Sequence, residues 1–350
     1  MNRFLNIVFP CALALFCSAC VSSFDRREDV IPADRARVQF FVEAPATKAA
    51  LGAGAESLIR TLDLFVFHSS NGGLESTAHS DVSSSVSVNL PTEESLDWFL
   101  IANLPAFRMD GVATLDDLLS RVTYLSDTDG AMVMSVSGTT LIPASSRGEE
   151  VNLGPYAVER YACKISVEDI TVDWLGDFAT VPSCMVDRLI VMNARLCEPL
   201  SGVPSALDDA YWLNKLTDEA ADSDPSSREG RLAYDSPSLS VISAAKTALG
   251  SVLYAMPNPS VSDENALDTP WAPRRTRLCI RLTVDGVSQW YPVDLPAMER
   301  NHHYVVEDLV IKGPGTPGPD QGIDRTAIAF RVSVTPWVEE SGNIIVVPEE

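Results

Sequence analysis

The sequence is poor in positive charge. Its 350 residues hold 26 Lys and Arg against 48 Asp and Glu, with four His, a formal net charge of −22. Phosphate binding needs clustered Lys and Arg, so nucleic acid is excluded as a partner. Long apolar runs are also scarce. No segment offers about 18 uninterrupted apolar residues, so a membrane-spanning helix is not expected. Catalytic signatures are missing as well: GxSxG, HExxH and a Walker loop are absent, and CxxC does not occur beyond the N-terminal twenty residues. His302-His303 with Glu307 lies in a segment that alternates like a strand, so helical zinc-ligand spacing does not apply. Gly313-Pro314-Gly315 is too rich in proline to present backbone N–H groups to a phosphate. The chain is read as a non-enzyme with no cofactor and no metal site.

What is present begins at the N-terminus. Asn2-Arg3, the apolar run Phe4 to Phe16 and Cys17-Ser18-Ala19-Cys20 have the three-part layout of a secretory leader. The run, about 13 residues, is shorter than the roughly 17–25 of a spanning helix. Residues 1–19 are read as a signal peptide. Ser-Ala-Cys at its end resembles a bacterial lipoprotein signal, which implies acylation of Cys20. Export leaves Cys163, Cys184, Cys197 and Cys279 in a compartment that permits disulfides. Their spacing fits no zinc pattern, and buried thiols and bridges both remain open.

The rest of the chain reads as short strands. Val38, Phe40 and Val42 share one face of a period-2 run that stops at Pro45. Thr47 to Ser57, TKAALGAGAES, is small and Gly-rich, and reads as an exposed loop containing Lys48. Strands are expected at 62–67, 86–88, 98–102, 163–172 with a bulge where the phase slips at Glu168-Asp169, 189–192, 252–254, 278–284, 304–306 and 327–334. One helix is expected over Thr114 to Leu125, with Thr114 as N-cap and Leu115, Leu118, Leu119 and Val122 on one face. Residues 204–235 are polar and acidic and read as a surface excursion. Many strands and one helix make the chain mainly all-β, arranged as two tandem β-sandwiches with a boundary near Gly148 to Pro155. The apolar run Ile344-Ile345-Val346-Val347 follows the final strand and has no evident partner within the fold. It is read either as a strand folded back on its own domain or as one to be given away.

Met298-Glu299-Arg300-Asn301-His302-His303-Tyr304, then Leu309 to Thr316 with its Gly313-Pro314-Gly315 turn, then Val334-Thr335-Pro336-Trp337-Val338, resemble the C-terminal signature of the Bacteroidales fimbrillins, subunits of type V pili. Upstream, Leu62 to Phe67, Leu100 to Asn103, the 114–125 helix and Val158-Glu159-Arg160 fall in the family's order. The resemblance implies two transthyretin-like sandwiches, residues 49–153 and 154–350, the first completed by strand 36–44. It implies an outer-membrane, cell-surface lipoprotein that a trypsin-like protease cuts between Lys48 and Ala49, where the family has Arg, discarding residues 20–48 with the lipid. The groove left by Val38, Phe40 and Val42 would take a strand from a neighbouring subunit. The donor would be Ile344 to Val347, within 327–350. The partners implied are other fimbrial subunits, as a homopolymer and as accessory or anchor subunits, with adhesion as the outcome. A permanently lipidated anchor, a tip adhesin and a stand-alone surface binding lipoprotein are the other readings. Glu299, Arg300, Asn301, His302, Gly313, Pro314, Gly315 and Trp337 are read as structural.

Overall fold

The computed structural model describes residues 31–44, 56–81, 84–173, 183–203, 212–213, 228–241, 245–262, 274–319, 321–337 and 345–346. The N-terminal half contains β1 (Arg35–Glu43), β2 (Leu62–His68), β3 (Leu74–Ser80), β4 (Ser85–Pro91), β5 (Ser95–Ala102), α1 (Leu115–Ser120), β6 (Val122–Tyr124), β7 (Met134–Leu141), β8 (Glu150–Ala157) and β9 (Glu159–Arg160). A three-stranded sheet, β4-β1-β8, faces a five-stranded sheet, β3-β2-β5-β7-β9. Their inner faces share one apolar core, in which Phe40, Leu64, Leu100 and Val133 are fully buried.

The C-terminal half contains β10 (Cys163–Val172), β11 (Cys184–Met192), β12 (Ala194–Arg195), β13 (Cys197–Pro199), β14 (Trp212–Leu213), α2 (Arg228–Leu232), β15 (Tyr234–Asp235), β16 (Leu239–Val241), β17 (Thr247–Ala255), β18 (Arg277–Val284), β19 (Val287–Asp294), β20 (His302–Ile311), β21 (Ile328–Pro336) and β22 (Ile345–Val346). Sheets β17-β10-β20-β21-β22 and β15-β11-β18-β19 enclose a second core that begins at Cys163. The result is the all-β tandem sandwich expected from the strand pattern. The bulge expected at Glu168-Asp169 is found there, where the β10–β17 register shifts between Val167 and Asp169.

Three expectations need correction. The helix is shorter than Thr114 to Leu125. Thr114 caps it as expected, accepting from the Asp117 N–H while the Asp117 carboxylate accepts from the Thr114 N–H. It ends at Ser120 because Val122–Tyr124 is drawn into antiparallel pairing with Cys197–Pro199. The boundary expected near Gly148 to Pro155 falls inside a strand, since β8 runs through this stretch and pairs in parallel with β1. Its Gly154, at φ +100°, sits where a Cβ would lie 2.5 Å from the Phe41 carbonyl oxygen, and this is where the β1–β8 register shifts. Finally, the C-terminal run has a partner within the fold. Ile345 and Val346 pair antiparallel with Val334 and Ser333 at the edge of the β21 sheet. Strand β21 itself lies inside that sheet, between β20 and β22.

Cys163, Cys184, Cys197 and Cys279 are all buried free thiols. Among the described residues, no helix is long and apolar enough to cross a membrane.

Candidate functional site

Strand β1 is built into the interior of the first sandwich, although it precedes every other element. It is the middle strand of its sheet, antiparallel to β4 from Arg35↔Pro91 to Phe41↔Ser85 and parallel to β8 from Arg37↔Glu150 to Glu43↔Ala157. Ala36, Val38 and Phe40 are fully buried and Val42 nearly so, as period-2 alternation requires of a strand with one face on a core. The Phe40 ring lies 5.5 Å from that of Trp98 on the opposite sheet, and Trp98 in turn packs 4.4 Å from Tyr156 of β8. Trp98 fits because Gly138 stands beside it on β7. A Cβ there would come within 2.6 Å of the indole.

Apart from Phe41, the outward side of β1 is polar. Arg35 donates to the Asn89 carbonyl oxygen at 2.9 Å and meets the Glu75 carboxylate at 2.7 Å. Glu75 is also 2.9 Å from His68 Nε2, and His68 Nδ1 lies 2.5 Å from Glu94. Gln39 donates to Ser85 Oγ. Taking β1 away would therefore leave an apolar channel, two unpaired strand edges on β4 and β8, and a carboxylate at one end that has lost its cation.

The chain resumes beyond β1 at a firm anchor. Glu56 is buried at the junction of the two sandwiches, where it accepts from Lys164 Nζ at 3.0 Å and from the Tyr254 hydroxyl at 2.7 Å. Beside it the fully buried Arg160 donates from Nε to the Glu56 carbonyl oxygen at 2.9 Å. Its Nη1 donates to the Trp337 carbonyl oxygen at 2.6 Å and to Asn301 Oδ1 at 3.3 Å. The guanidinium also lies over the Trp337 ring, 4.5 Å from its centroid. Burial lowers the Arg160 pKa to about 10, so it stays charged at neutral pH.

The C-terminal signature residues converge on this junction. Asn301, at φ +57°, takes the left-handed turn that lets its carbonyl oxygen accept from the Trp337 N–H at 2.6 Å while its own N–H donates to Ala162. Arg300 stacks over Tyr161, 4.1 Å from the ring centroid, and donates to the Glu159 carbonyl oxygen and Ser135 Oγ. His302 Nδ1 is 2.8 Å from the Arg300 carbonyl oxygen, and the Glu299 N–H donates to the Tyr304 hydroxyl. The β6–β13 pair adds a small sheet that crosses from one half to the other. Gly313 to Gly315 belong to another place: they turn against β19, where the Gly315 N–H donates to Gln289 and a Cβ on Gly315 would lie 2.6 Å from the Trp290 carbonyl oxygen.

His303 donates to or accepts from Ser166 Oγ at 2.8 Å on the neighbouring strand, and burial, helped by Lys164, holds its pKa down to about 4. The pair His302-His303 is thus committed to the fold. Among the described residues no group of His, Cys, Asp and Glu is arranged to hold a metal. Cys20, Lys48, Ala49, Ile344 and Val347 lie outside the described residues. Sequence reasoning passed over Gly138, read Trp98 only as the start of the 98–102 strand, and placed Glu56 in an exposed loop although it is buried. Arg160 was legible only as part of the Val158-Glu159-Arg160 match.

Fold and site together define a tandem β-sandwich protein whose first domain is completed by its first strand, β1. Residues 36–157 match the family described as major fimbrial subunit protein (FimA), a match that takes in the whole first sandwich from β1 to β8. Among solved structures, a putative cell adhesion protein from Bacteroides eggerthii DSM 20697 has a TM-score of 0.63 at 17% identity, over 88% of this chain and 98% of that one. A fimbrilin (fimA) from Porphyromonas gingivalis W83 has a TM-score of 0.59 at 16% identity, over 88% and 99%. A putative cell adhesion protein from Parabacteroides distasonis ATCC 8503 has a TM-score of 0.59 at 16% identity, over 89% and 99%. At these identities the likeness is one of fold. No curated protein sequence matches the chain.

Proposed function

We propose that this fimbrial subunit is exported as a lipoprotein acylated on Cys20, cut after Lys48, and joined to its neighbours by strand exchange at the β1 slot. The observation that carries the reading is the position of β1. A strand that is central, fully buried on one face and connected onward only through residues 45–55 can leave as a unit, and its loss creates a template for β-augmentation. Glu56 is held by Lys164, Tyr254 and Arg160, so a cut after Lys48 would free β1 without loosening the junction.

The strand to be donated by this chain is the C-terminal run Ile344 to Val347. Among the described residues its home pairing is Ile345 with Val334 and Val346 with Ser333, at the edge of the sheet, where exchange disturbs no strand on its far side. The acidity of the chain resides in the folded body, because residues 1–48 contain six basic and five acidic residues. Such a charge keeps an exported subunit soluble and slows unplanned association. Sequencing the N-terminus of the surface form tests the pathway. Ala49 as first residue is the expected result. An acylated Cys20 retained on the full-length protein in assembled material would identify a permanently lipidated anchor instead.

A further inference from the structure

We propose that the first sandwich carries a binding site for a neutral sugar residue of a glycan, in the cavity where β2 begins and β3 and β5 end. None of the lining residues belongs to β1, β4 or β8, so the proposal does not depend on strand exchange. The cavity measures about 390 Å³, within the roughly 300–1,000 Å³ of ordinary small-molecule sites. Its frame is fixed by Asn103, which follows β5 in the left-handed conformation at φ +64°. The Asn103 side chain accepts from the Arg60 N–H at 2.7 Å and donates to the Leu58 and Met132 carbonyl oxygens, each at 2.7 Å, which ties the surrounding backbone together. Leu104, Pro105 and Ala106 supply an apolar wall. Gly130, at φ +95°, presents bare backbone to the Arg60 guanidinium, where a Cβ would lie 3.5 Å from Nη1.

The charges around this space cancel. His79 lies 2.6 Å from Asp63 and 2.9 Å from Asp81 through its two ring nitrogens. Carboxylates only accept, so both nitrogens hold protons, and the hydrogen bonds to Asp81 and Asp63 raise the His79 pKa. Asp127 is held by Arg108 through two bonds of 3.1 Å, and Asp129 by Arg231 at 3.2 Å. Four carboxylates stand against four cations once Arg60 is counted, so a charged ligand gains little from net attraction. What is left uncommitted is directional. Among the described residues the Arg60 guanidinium and the Thr61 hydroxyl have no hydrogen-bond partner, and the Asp81 carboxylate, 83% exposed, spends one oxygen on His79. A fork of N–H donors and a carboxylate acceptor beside an apolar wall suit a pyranose, whose adjacent hydroxyls bond to the charged groups while its C–H face lies on Leu104 to Ala106. One such residue binds with a Kd on the order of 1 mM. Display of many copies along a fimbria raises the avidity about 100- to 10,000-fold.

The test is saturation-transfer NMR on the full chain with the methyl glycosides of mannose, galactose, fucose and N-acetylglucosamine, and with glucuronate and glucosamine as charged comparisons. At least one neutral glycoside should receive saturation and bind more tightly than either charged sugar. Arg60→Ala and Asp81→Ala should each weaken that binding about ten-fold or more. Both side chains are exposed, so neither change should move Tm, and Arg331→Ala on the second sandwich should bind like the parent. Transfer to no neutral glycoside, transfer that persists unchanged in both the Arg60 and the Asp81 variants, or a preference for a charged sugar would overturn the proposal.

Discussion

Replacing Phe40 by Ala probes the β1 slot where its packing is densest. The ring is fully buried and stands 5.5 Å from Trp98, which is itself confined by Tyr156 and by the absence of a Cβ at Gly138. The neighbours cannot collapse easily into the space, so the substitution should cost about 3–5 kcal/mol, the range for truncating a buried aromatic side chain. In the intact chain this lowers the urea midpoint of the first sandwich. In the chain cleaved after Lys48 the same free energy becomes binding energy, so the fragment should dissociate roughly 150- to 4,000-fold more readily. Fluorescence anisotropy of a labelled fragment measures this. Gln39→Ala, on the outward side of the same strand, should change retention far less. If F40A and Q39A fragments were retained equally, β1 would not be held by its inward face and the slot argument would be wrong.

Three further outcomes follow from the packing. Gly138→Val should lower stability by about 1–3 kcal/mol through overpacking against Trp98, read as a drop in Tm. Arg160→Met should strip the Trp337 carbonyl oxygen and Asn301 Oδ1 of their donor and uncouple the sandwiches, so that calorimetry resolves two transitions where the parent shows one. His303 should make stability fall on acidification. Its folded-state pKa, about 4, is below the unfolded value near 6.5, so between those pH values the unfolded chain binds the extra proton and stability is lost as pH drops. The loss is at most about 3 kcal/mol, and His303→Gln should flatten that part of the stability profile.

Strands with one buried face announce themselves in the sequence. Ala36, Val38, Phe40 and Val42 alternate with polar partners, and Ile165 and Val167 alternate until the bulge breaks their phase. Strands β3, β7 and β8 do not, for physical reasons. LESTAHS and MSVSGTTL have few apolar side chains because much of each strand faces solvent, and the Gly138 position carries a neighbour's indole instead of a side chain of its own. EVNLGPYA contains Gly154 and Pro155 because it bulges against β1, and the same residues read as a domain boundary. The helix end was illegible because it is fixed by β13, some seventy residues on. The junction is the extreme case: Arg160 takes its partners 104, 141 and 177 residues away, at Glu56, Asn301 and Trp337, so no local pattern could assemble it. The signature residues Arg300, Asn301 and Trp337 were visible as a motif, and their work is to lock the two sandwiches together.

The central claim is that β1 is a replaceable strand whose place a neighbour takes. A photo-crosslinking residue at Ser87, which faces Gln39 across the β1–β4 ladder, reports directly on what fills the slot. In assembled surface material the crosslinked peptide should come from another subunit, with none from residues 35–43. Recovery of residues 35–43 of the same chain from assembled fimbriae would contradict the account.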